Sequence, residues 1–483
     1  MTVVHLGNSK PSSYAQHIMT KNPEANGKAS NGTAKGKESS EDKALSPAQL
    51  SRYQDDFNAS IRNRLATLTL SREAYSSGLE NRYVTLQHPA VFSHKLKISP
   101  PITNQKSSGR CWIFACLNML RLKMMEEYKL EELELSQPFV FFYDKLEKSN
   151  WFLENVLSTL DEELDGRVLQ YLLTDPINDG GQFDMIVALL EKYGVVPKDA
   201  YPETFHTSNS REMDTLITSR LREFAKQLRQ AHADGCSVEA LRLRKKEMLE
   251  QVHRIMTVSL GQPPQKVTWA FYDKDKNFHE FRDLTPQEFY RKHVQVDCTR
   301  LVSLINDPRN EYMRKYTVKY LGNVAEAGGV RYVNLSIDDI KQLASRTIQA
   351  GRPVWFGCDV GKCFARGVGL LDPQAIDLKA AFDVKDGMSK ADRLRYGESA
   401  MTHAMLLTGV HVEDGRVVRW RVENSWGESS GVKGYLTLTD EWFSEFVYQI
   451  VLDKSDLPQR IVDVLDQDAV VLPPWDPMGA LAQ

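Results

Sequence analysis

Apolar residues first fall into step at Leu50, Tyr53, Phe57, Ile61 and Leu65, a helical spacing that opens behind Ser46-Pro47, an N-cap with proline at the first helical position. Val84, Val91 and Phe92 then read as extended segments, and Pro100-Pro101 stops regular structure. A polar, glycine-containing loop, Asn104-Gln105-Lys106-Ser107-Ser108-Gly109-Arg110, runs straight into an apolar segment headed by Cys111-Trp112, which predicts a helix over residues 111–129. Leu135-Ser136-Gln137-Pro138 caps a second apolar helix through Phe139, Phe142 and Tyr143, and Tyr193-Gly194 reads as a helix C-cap. Residues 209–260 are strongly helical but break at Asp234-Gly235-Cys236-Ser237, which predicts a helical hairpin. Tyr272-Asp273-Lys274-Asp275-Lys276 is an exposed turn between two short strands. Beyond residue 350 the period shifts towards two: strands are expected at 353–358, 403–410, 417–422, 436–438 and 447–452, with Asp414-Gly415 as the hairpin turn between the second and third.

This pattern predicts an α+β protein in which a helical half faces a β half. Five segments follow: a flexible tail over 1–45, rich in Ser, Asn, Lys and Gly; a helical half over 46–202; a helical stretch of different character over 203–345; a β half over 346–464; and a C-terminal arm over 465–483. The arm opens on Pro473-Pro474-Trp475-Asp476-Pro477, a stiff extended lead, and ends in Met478–Gln483, too short for an independent helix. A frayed terminus is the ordinary expectation for such an end, against which stand Trp475 and Met478, costly to leave in water.

With 483 residues the chain can bury a large core, and a net charge of −3 excludes a protein that binds nucleic acid by its overall charge. A local basic face is left open: the hairpin carries Arg220, Arg222, Lys226, Arg229, Arg242, Arg244, Lys245, Lys246 and Arg254. A solvated helix face is the commoner explanation of such a run, a DNA- or RNA-binding surface the other. The six cysteines, Cys111, Cys116, Cys236, Cys298, Cys358 and Cys363, are scattered without a C-x-x-C pair, so neither a metal site nor a disulfide framework is expected. No apolar run approaches membrane-spanning length, no signal-peptide core opens the chain, and the first forty residues lack arginine; the expected compartment is the cytoplasm.

Cys111 carries the candidate chemistry. It sits at the first turn of its helix, where unpaired N–H groups and a partial positive charge favour the thiolate, the form that attacks carbonyls. Gln105, six residues upstream, can fold back and donate its amide to a developing oxyanion beside the Cys111 N–H, with Gly109 as the hinge. A buried core cysteine is the alternative. Far downstream, His403 opens one strand and Asn424-Ser425-Trp426-Gly427 ends another, one hairpin away. The hairpin brings His403 beside Asn424, whose carboxamide can orient the imidazole without adding charge, while Trp426 can shield that hydrogen bond. Asp179-Gly180-Gly181-Gln182 reads as a simple turn on its own or as a loop that a ligand approaches closely.

In Gln105, Cys111-Trp112, His403 and Asn424-Ser425-Trp426-Gly427 the sequence resembles the papain-like cysteine peptidases. It resembles the bleomycin hydrolase family further at residues 104–112, Phe141-Phe142-Tyr143-Asp144-Lys145, Ser303-Leu304-Ile305-Asn306-Asp307-Pro308-Arg309, residues 401–406 and Trp475-Asp476-Pro477-Met478-Gly479-Ala480-Leu481. Ser108 stands where secreted members often have a disulfide-forming cysteine, which fits a reducing compartment. His403 lies 292 residues beyond Cys111 (403 − 111), against about 130–150 in the papain layout, so residues 203–345 become a large helical insertion. The resemblance implies a papain-like fold, a helical half plus a β-barrel-like half, with the C-terminal arm in the cleft. It implies a Cys111-His403-Asn424 triad, an oxyanion site at Gln105, and substrate-binding roles for Gly180, Gly181, Trp426 and Gln483. The expected activity is that of a cysteine aminopeptidase acting on peptides with free N-termini, on the bleomycin amide and on homocysteine thiolactone, with no cofactor or metal. The resemblance further implies a homohexamer, DNA binding as a second property, and loss of Gln483 by self-trimming. The rivals are an open-cleft endopeptidase and a nucleic-acid-binding regulator.

Overall fold

A computed structural model describes residues 43–385 and 387–482; most of the expected tail and Gln483 lie outside the described residues. The chain divides into two compact units, residues 1–61 and 62–483. In the first, helix α1 (Pro47–Ala59) starts where the N-cap signal predicts. Ser46 Oγ accepts from the Gln49 N–H, and Gln49 Oε1 accepts from the Ser46 N–H. None of its side chains is buried, and Leu50 and Tyr53 are among its exposed apolar residues. Helix α2 (Ile61–Leu70) likewise leaves Leu65 and Leu68 exposed.

The expected extended run near residue 84 is helical instead, over Arg82–Gln87, because the Asn81 side chain accepts from the N–H groups of Tyr83 and Val84 and starts a turn. Helix α3 (Cys111–Glu127) is mostly apolar and runs through the core, with Trp112, Ile113, Phe114, Cys116, Leu120 and Met124 fully buried. Helix α4 (Gln137–Ser158) opens under the Ser136 cap, and α5 (Phe183–Tyr193) closes at Gly194. The hairpin α6 (Arg211–Ala233) and α7 (Val238–Leu260) packs on α4 through Met213, Ile217, Leu221, Phe224 and Leu228, spaced to share one helix face. Strands β1 (Val267–Tyr272) and β2 (Phe278–Leu284) form a separate hairpin.

The expected helical stretch over 203–345 holds more than helices. Strands β3 (Leu301–Ile305), β4 (Arg314–Val318) and β5 (Tyr332–Asn334) join the main sheet of the β half, where the apolar Leu304 and Ile305 are buried. After α8 (Ile337–Gln349) come β6 (Val354–Cys358), β7 (His403–Glu413), β8 (Arg416–Glu423), β9 (Tyr435–Thr439), β10 (Val447–Asp453) and β11 (Val470–Leu472). Their order in the sheet is β11-β4-β5-β3-β10-β6-β7-β8-β9. Asp414 and Gly415 both take positive φ (49° and 78°) between the paired Glu413 and Arg416, the turn that suits a tight hairpin. Helix α3 packs against β7, and that contact sets the candidate nucleophile against the backbone of Ala404, the residue after the candidate base His403. No helix among the described residues is long and apolar enough to cross a membrane.

Candidate active site

Two stretches 320 residues apart are stitched together around Cys111. The Gln105 N–H donates to the Ser425 carbonyl (2.8 Å), and Ser425 Oγ donates to Gln105 Oε1 (2.7 Å). With its oxygen so held, Gln105 points its amide nitrogen back over its own loop, where Nε2 donates to the Ser108 carbonyl (2.6 Å) and keeps a second N–H for another acceptor. Arg110, fully buried, closes the loop by a bidentate pair with Glu203 (3.2 and 3.0 Å) and by donating to Ser108 Oγ (2.9 Å).

Cys111 is 4% exposed. Its sulfur is faced by the backbone N–H groups of Cys111, Trp112 and Ala404, the last belonging to the residue after His403. Burial pushes the thiol up to about 11, against the pull of those three donors. Burial likewise pushes His403 down to about 4, opposed by its bond to Asn424. Desolvation thus favours a neutral thiol and a neutral imidazole in the resting site, and the thiolate expected from the helix start is not the resting form because burial outweighs the N–H donors. The hydrogen bonds fix which imidazole tautomer this is. Asn424 Oδ1 accepts from the Ser425 N–H (2.7 Å), so the carboxamide oxygen faces His403, and Nε2 at 2.9 Å is the nitrogen that carries hydrogen. Nδ1 keeps its lone pair. Trp426 covers this bond with its ring, 4.7 Å from the imidazole centroid.

The paired glycines serve close contacts. A Cβ on Gly181 would lie 2.5 Å from the Trp112 ring, and one on Gly180 would collide with the carbonyl oxygen of Leu481. Gly109 is no hinge: its φ is ordinary, and its missing Cβ makes room for Asp179, whose own Cβ would be 2.6 Å away. The group seated on the glycine loop is the chain's own C-terminal arm. Asn178 Nδ2 donates to the Ala482 carbonyl (2.8 Å), while Tyr332 Oη (3.1 Å) and Gln182 Nε2 (3.4 Å) donate to that of Met478. Asp476 accepts from Arg309 (2.8 Å) and from the Met478 N–H (2.9 Å), and Arg167 stacks 3.7 Å over the Trp475 ring. Met478, Leu481 and Ala482 are buried. A frayed end is thus not what the described residues form; Pro477–Ala482 is a 3-10 turn held by tertiary contacts.

Sequence reasoning passed over the groups that support the site. Asp179 accepts from the Gly109 N–H, and the Glu203 partner of Arg110 is 93 residues away in sequence. The Asp144-Lys145 pair was the available signal: two charges inside an apolar helical run demand buried partners. On the basic hairpin, several cations have internal partners. Arg222 donates to the carbonyls of Leu173 and Thr174, Arg229 to those of Thr159 and Glu162, and Lys245 and Arg242 pair with Glu154.

A helix-borne cysteine facing the backbone next to a strand-borne histidine, itself bound to an asparagine carboxamide, fits the arrangement of a papain-like cysteine peptidase. The sequence matches the Peptidase C1-like family over residues 44–479, and the chain belongs to that family. Bleomycin hydrolase from Gallus gallus is 47% identical over 81% of this chain and 89% of its own length. Aminopeptidase C from Streptococcus thermophilus is 43% identical over 88% and 96%. The crystal structure of PepW from Lactobacillus rhamnosis HN001 superposes with a TM-score of 0.88 at 43% identity, covering 90% of this chain and 99% of that one.

Proposed function

We propose that the protein is a cysteine aminopeptidase of bleomycin hydrolase type, with Cys111, His403 and Asn424 as its triad. The observation that carries this reading is the Cys111 sulfur lying under the Ala404 N–H while the neighbouring His403 is bound through Nε2 to Asn424. His403 Nδ1 takes the thiol proton as the sulfur bonds to the scissile carbonyl carbon. The Cys111 N–H and the free N–H of Gln105 receive the oxyanion. Collapse of the tetrahedral adduct breaks the C–N bond, and His403 returns its proton to the leaving amine. A water then gives a proton to His403 and its hydroxide to the thioester carbon, releasing the acid and the thiol.

The seated arm supports exopeptidase over endopeptidase action. With Ala482 bonded to Asn178 beside the glycine loop, the arm leaves room for only a short N-terminal portion of substrate, which disfavours a blocked N-terminus. Gln483, outside the described residues, is the residue whose trimming would set that length. The same acyl chemistry extends to the bleomycin carboxamide and to the thioester of homocysteine thiolactone. The exposed Leu50 and Tyr53 of α1 support assembly into a homo-oligomer, a hexamer in this reading. Free thiols among the described residues suit a reducing compartment, the cytoplasm. Lys226, Lys246 and Arg254, exposed on the hairpin, leave DNA or RNA binding as a second role, tested by gel shift at two salt concentrations with all three changed to Glu.

The main test compares free and N-acetylated fluorogenic peptides on the full chain, on Cys111→Ala and on a chain lacking residues 479–483. Cys111→Ala should be inactive and still assemble. The truncated enzyme should accept blocked peptides that the full chain rejects. Substantial turnover by Cys111→Ala would sink the mechanism, and equal selectivity with and without the arm would sink the length restriction.

A further inference from the structure

The glycine loop rests on buried charges that the reaction scheme leaves unused. Lys145 and Lys148, one turn apart on α4, are both buried. Lys148 Nζ donates to the carbonyls of Asn178 (2.9 Å) and Gly180 (2.5 Å) and pairs with Asp144 (2.8 Å). Lys145 Nζ bridges Asp179 (2.7 Å) and Asp214 (2.9 Å), and Asp214 belongs to α6 of the inserted hairpin. Asp179 is the hub of this set. Its Oδ2 accepts from the Gly109 N–H (2.8 Å) and from Ser210 Oγ (2.5 Å), Ser210 being the residue that precedes α6. Its backbone carbonyl accepts from Trp112 Nε1 (2.7 Å).

One residue thereby grips the chain on both sides of the nucleophile: Gly109 two positions before Cys111 and Trp112 one after. The peptide planes between those points set where the Cys111 N–H and sulfur aim. A misplacement of about 1 Å in such a site can cost on the order of a hundredfold in rate. The missing side chain at Gly109 is what lets Asp179 approach so closely.

We propose that Asp179 is a positioning residue for Cys111, and that helix α6 holds it in place through Asp214 and Ser210, so that the inserted hairpin helps set the geometry of the nucleophile. The inference rests on the reading of Cys111 as the nucleophile. The electrostatics agree with it. Burial alone would raise the Asp179 carboxyl, but Lys145, Asp214 and Ser210 override burial and hold it well below the usual carboxylate range. Burial and the nearby Asp179 push Asp214 up to about 7, against the pull of Lys145, so near neutral pH Asp214 can carry a proton and donate it in a hydrogen bond to Asp179.

The experiment uses the full chain and two readouts: kcat and KM on a free-N-terminus fluorogenic peptide, and the iodoacetamide alkylation rate of Cys111, localised by mass spectrometry. Asp214→Leu removes the carboxylate, Asp214→Asn keeps a neutral hydrogen-bonding group, and Ser210→Ala removes one donor with little threat to folding. Asp214→Leu should lower kcat and slow Cys111 alkylation by about tenfold each with KM within about twofold, and Asp214→Asn should restore both. Ser210→Ala should slow both by about threefold. A purely structural role would lower the melting temperature and leave kcat and alkylation alone. Folded Asp214→Leu with wild-type kcat and alkylation overturns the proposal. If that variant does not fold, the same result with Ser210→Ala overturns it. Cys111→Ala run in parallel separates the two readings: its survival as an active enzyme removes the nucleophile, whereas an inactive Cys111→Ala beside unaffected Asp214 and Ser210 variants removes only the role of Asp179.

Discussion

At Cys111 and His403 burial and hydrogen bonding pull in opposite directions, and burial wins on both. The thiol is pushed up to about 11 and the imidazole down to about 4, so the two groups rest uncharged, and in the proposed mechanism proton transfer is coupled to attack. The acid limb of kcat/KM should then fall through about pH 4, not near the ordinary histidine value of about 6.5. The sign for stability follows from the same shift. A histidine held neutral contributes stability that is complete above its unfolded value and is lost as pH falls towards its folded one, here between about 6.5 and about 4. A pH–rate profile on a neutral substrate checks the first statement, and urea melts across that window check the second. Mutation should separate the two partners. His403→Ala removes the proton carrier of the proposed mechanism and should cost about a thousandfold in kcat, whereas Asn424→Ala removes its proposed orienting partner and should cost about tenfold to a hundredfold. Equal losses would mean that Asn424 does more than orient.

At the scale of elements, what was legible was whatever a local pattern encodes. The Ser46-Pro47 and Ser136-Gln137-Pro138 caps, the apolar run from Cys111 and the Asp414-Gly415 turn each depend on neighbours within a few residues, and each element forms there. Cys111, His403 and the Asn424 motif could be singled out as candidates because each stands at an element end within a short local pattern, and His403 and Asn424 do meet in the structure. The supports of the site were not legible, because they pair across the sequence. Glu203 answers Arg110 from 93 residues away, and Asp179 answers Gly109 from 70. Strands β3, β4 and β5 escaped for a related reason: short runs take their identity from partners in a sheet that assembles much later in the chain. The Arg110–Glu203 pair yields a prediction at this scale. Burial opposes both charges, yet Arg110 and Lys198 hold the Glu203 carboxyl at about 2, and the guanidinium has no exposure through which to find water. Glu203→Gln leaves that cation buried without its partner and should cost about 3 kcal/mol in urea denaturation. Because the carboxyl is depressed, the pair's contribution is full above about pH 4.5 and disappears as pH falls through about 2. A loss below about 1 kcal/mol would show that Lys198 and Ser108 suffice to hold the loop.

For the whole molecule, the decisive contact joins the last described residues to the middle of the chain. Ala482 meets Asn178 from 304 residues away, and Met478 meets Gln182 from 296. Sequence could show that Trp475 and Met478 were too apolar to leave in water, but not where they go. Their seat draws on Arg167, the glycine loop, Arg309 after β3 and Tyr332 of β5, so it exists only once helical and β elements are assembled. Gly180 is its narrowest point, because any side chain there collides with Leu481. Gly180→Ala in the full chain should therefore dislodge the arm and move substrate choice towards that of the enzyme lacking residues 479–483. The ratio of kcat/KM for free over N-acetylated peptide should drop by about tenfold or more, the scale of one contact that tells a free from a blocked N-terminus. In the truncated chain the collision partner is gone, so the same substitution should change that ratio by less than about twofold. If instead Gly180→Ala lowers turnover of both peptides equally in both backgrounds, Gly180 is needed by the substrate backbone itself, and the arm tolerates the added methyl by moving without losing its grip.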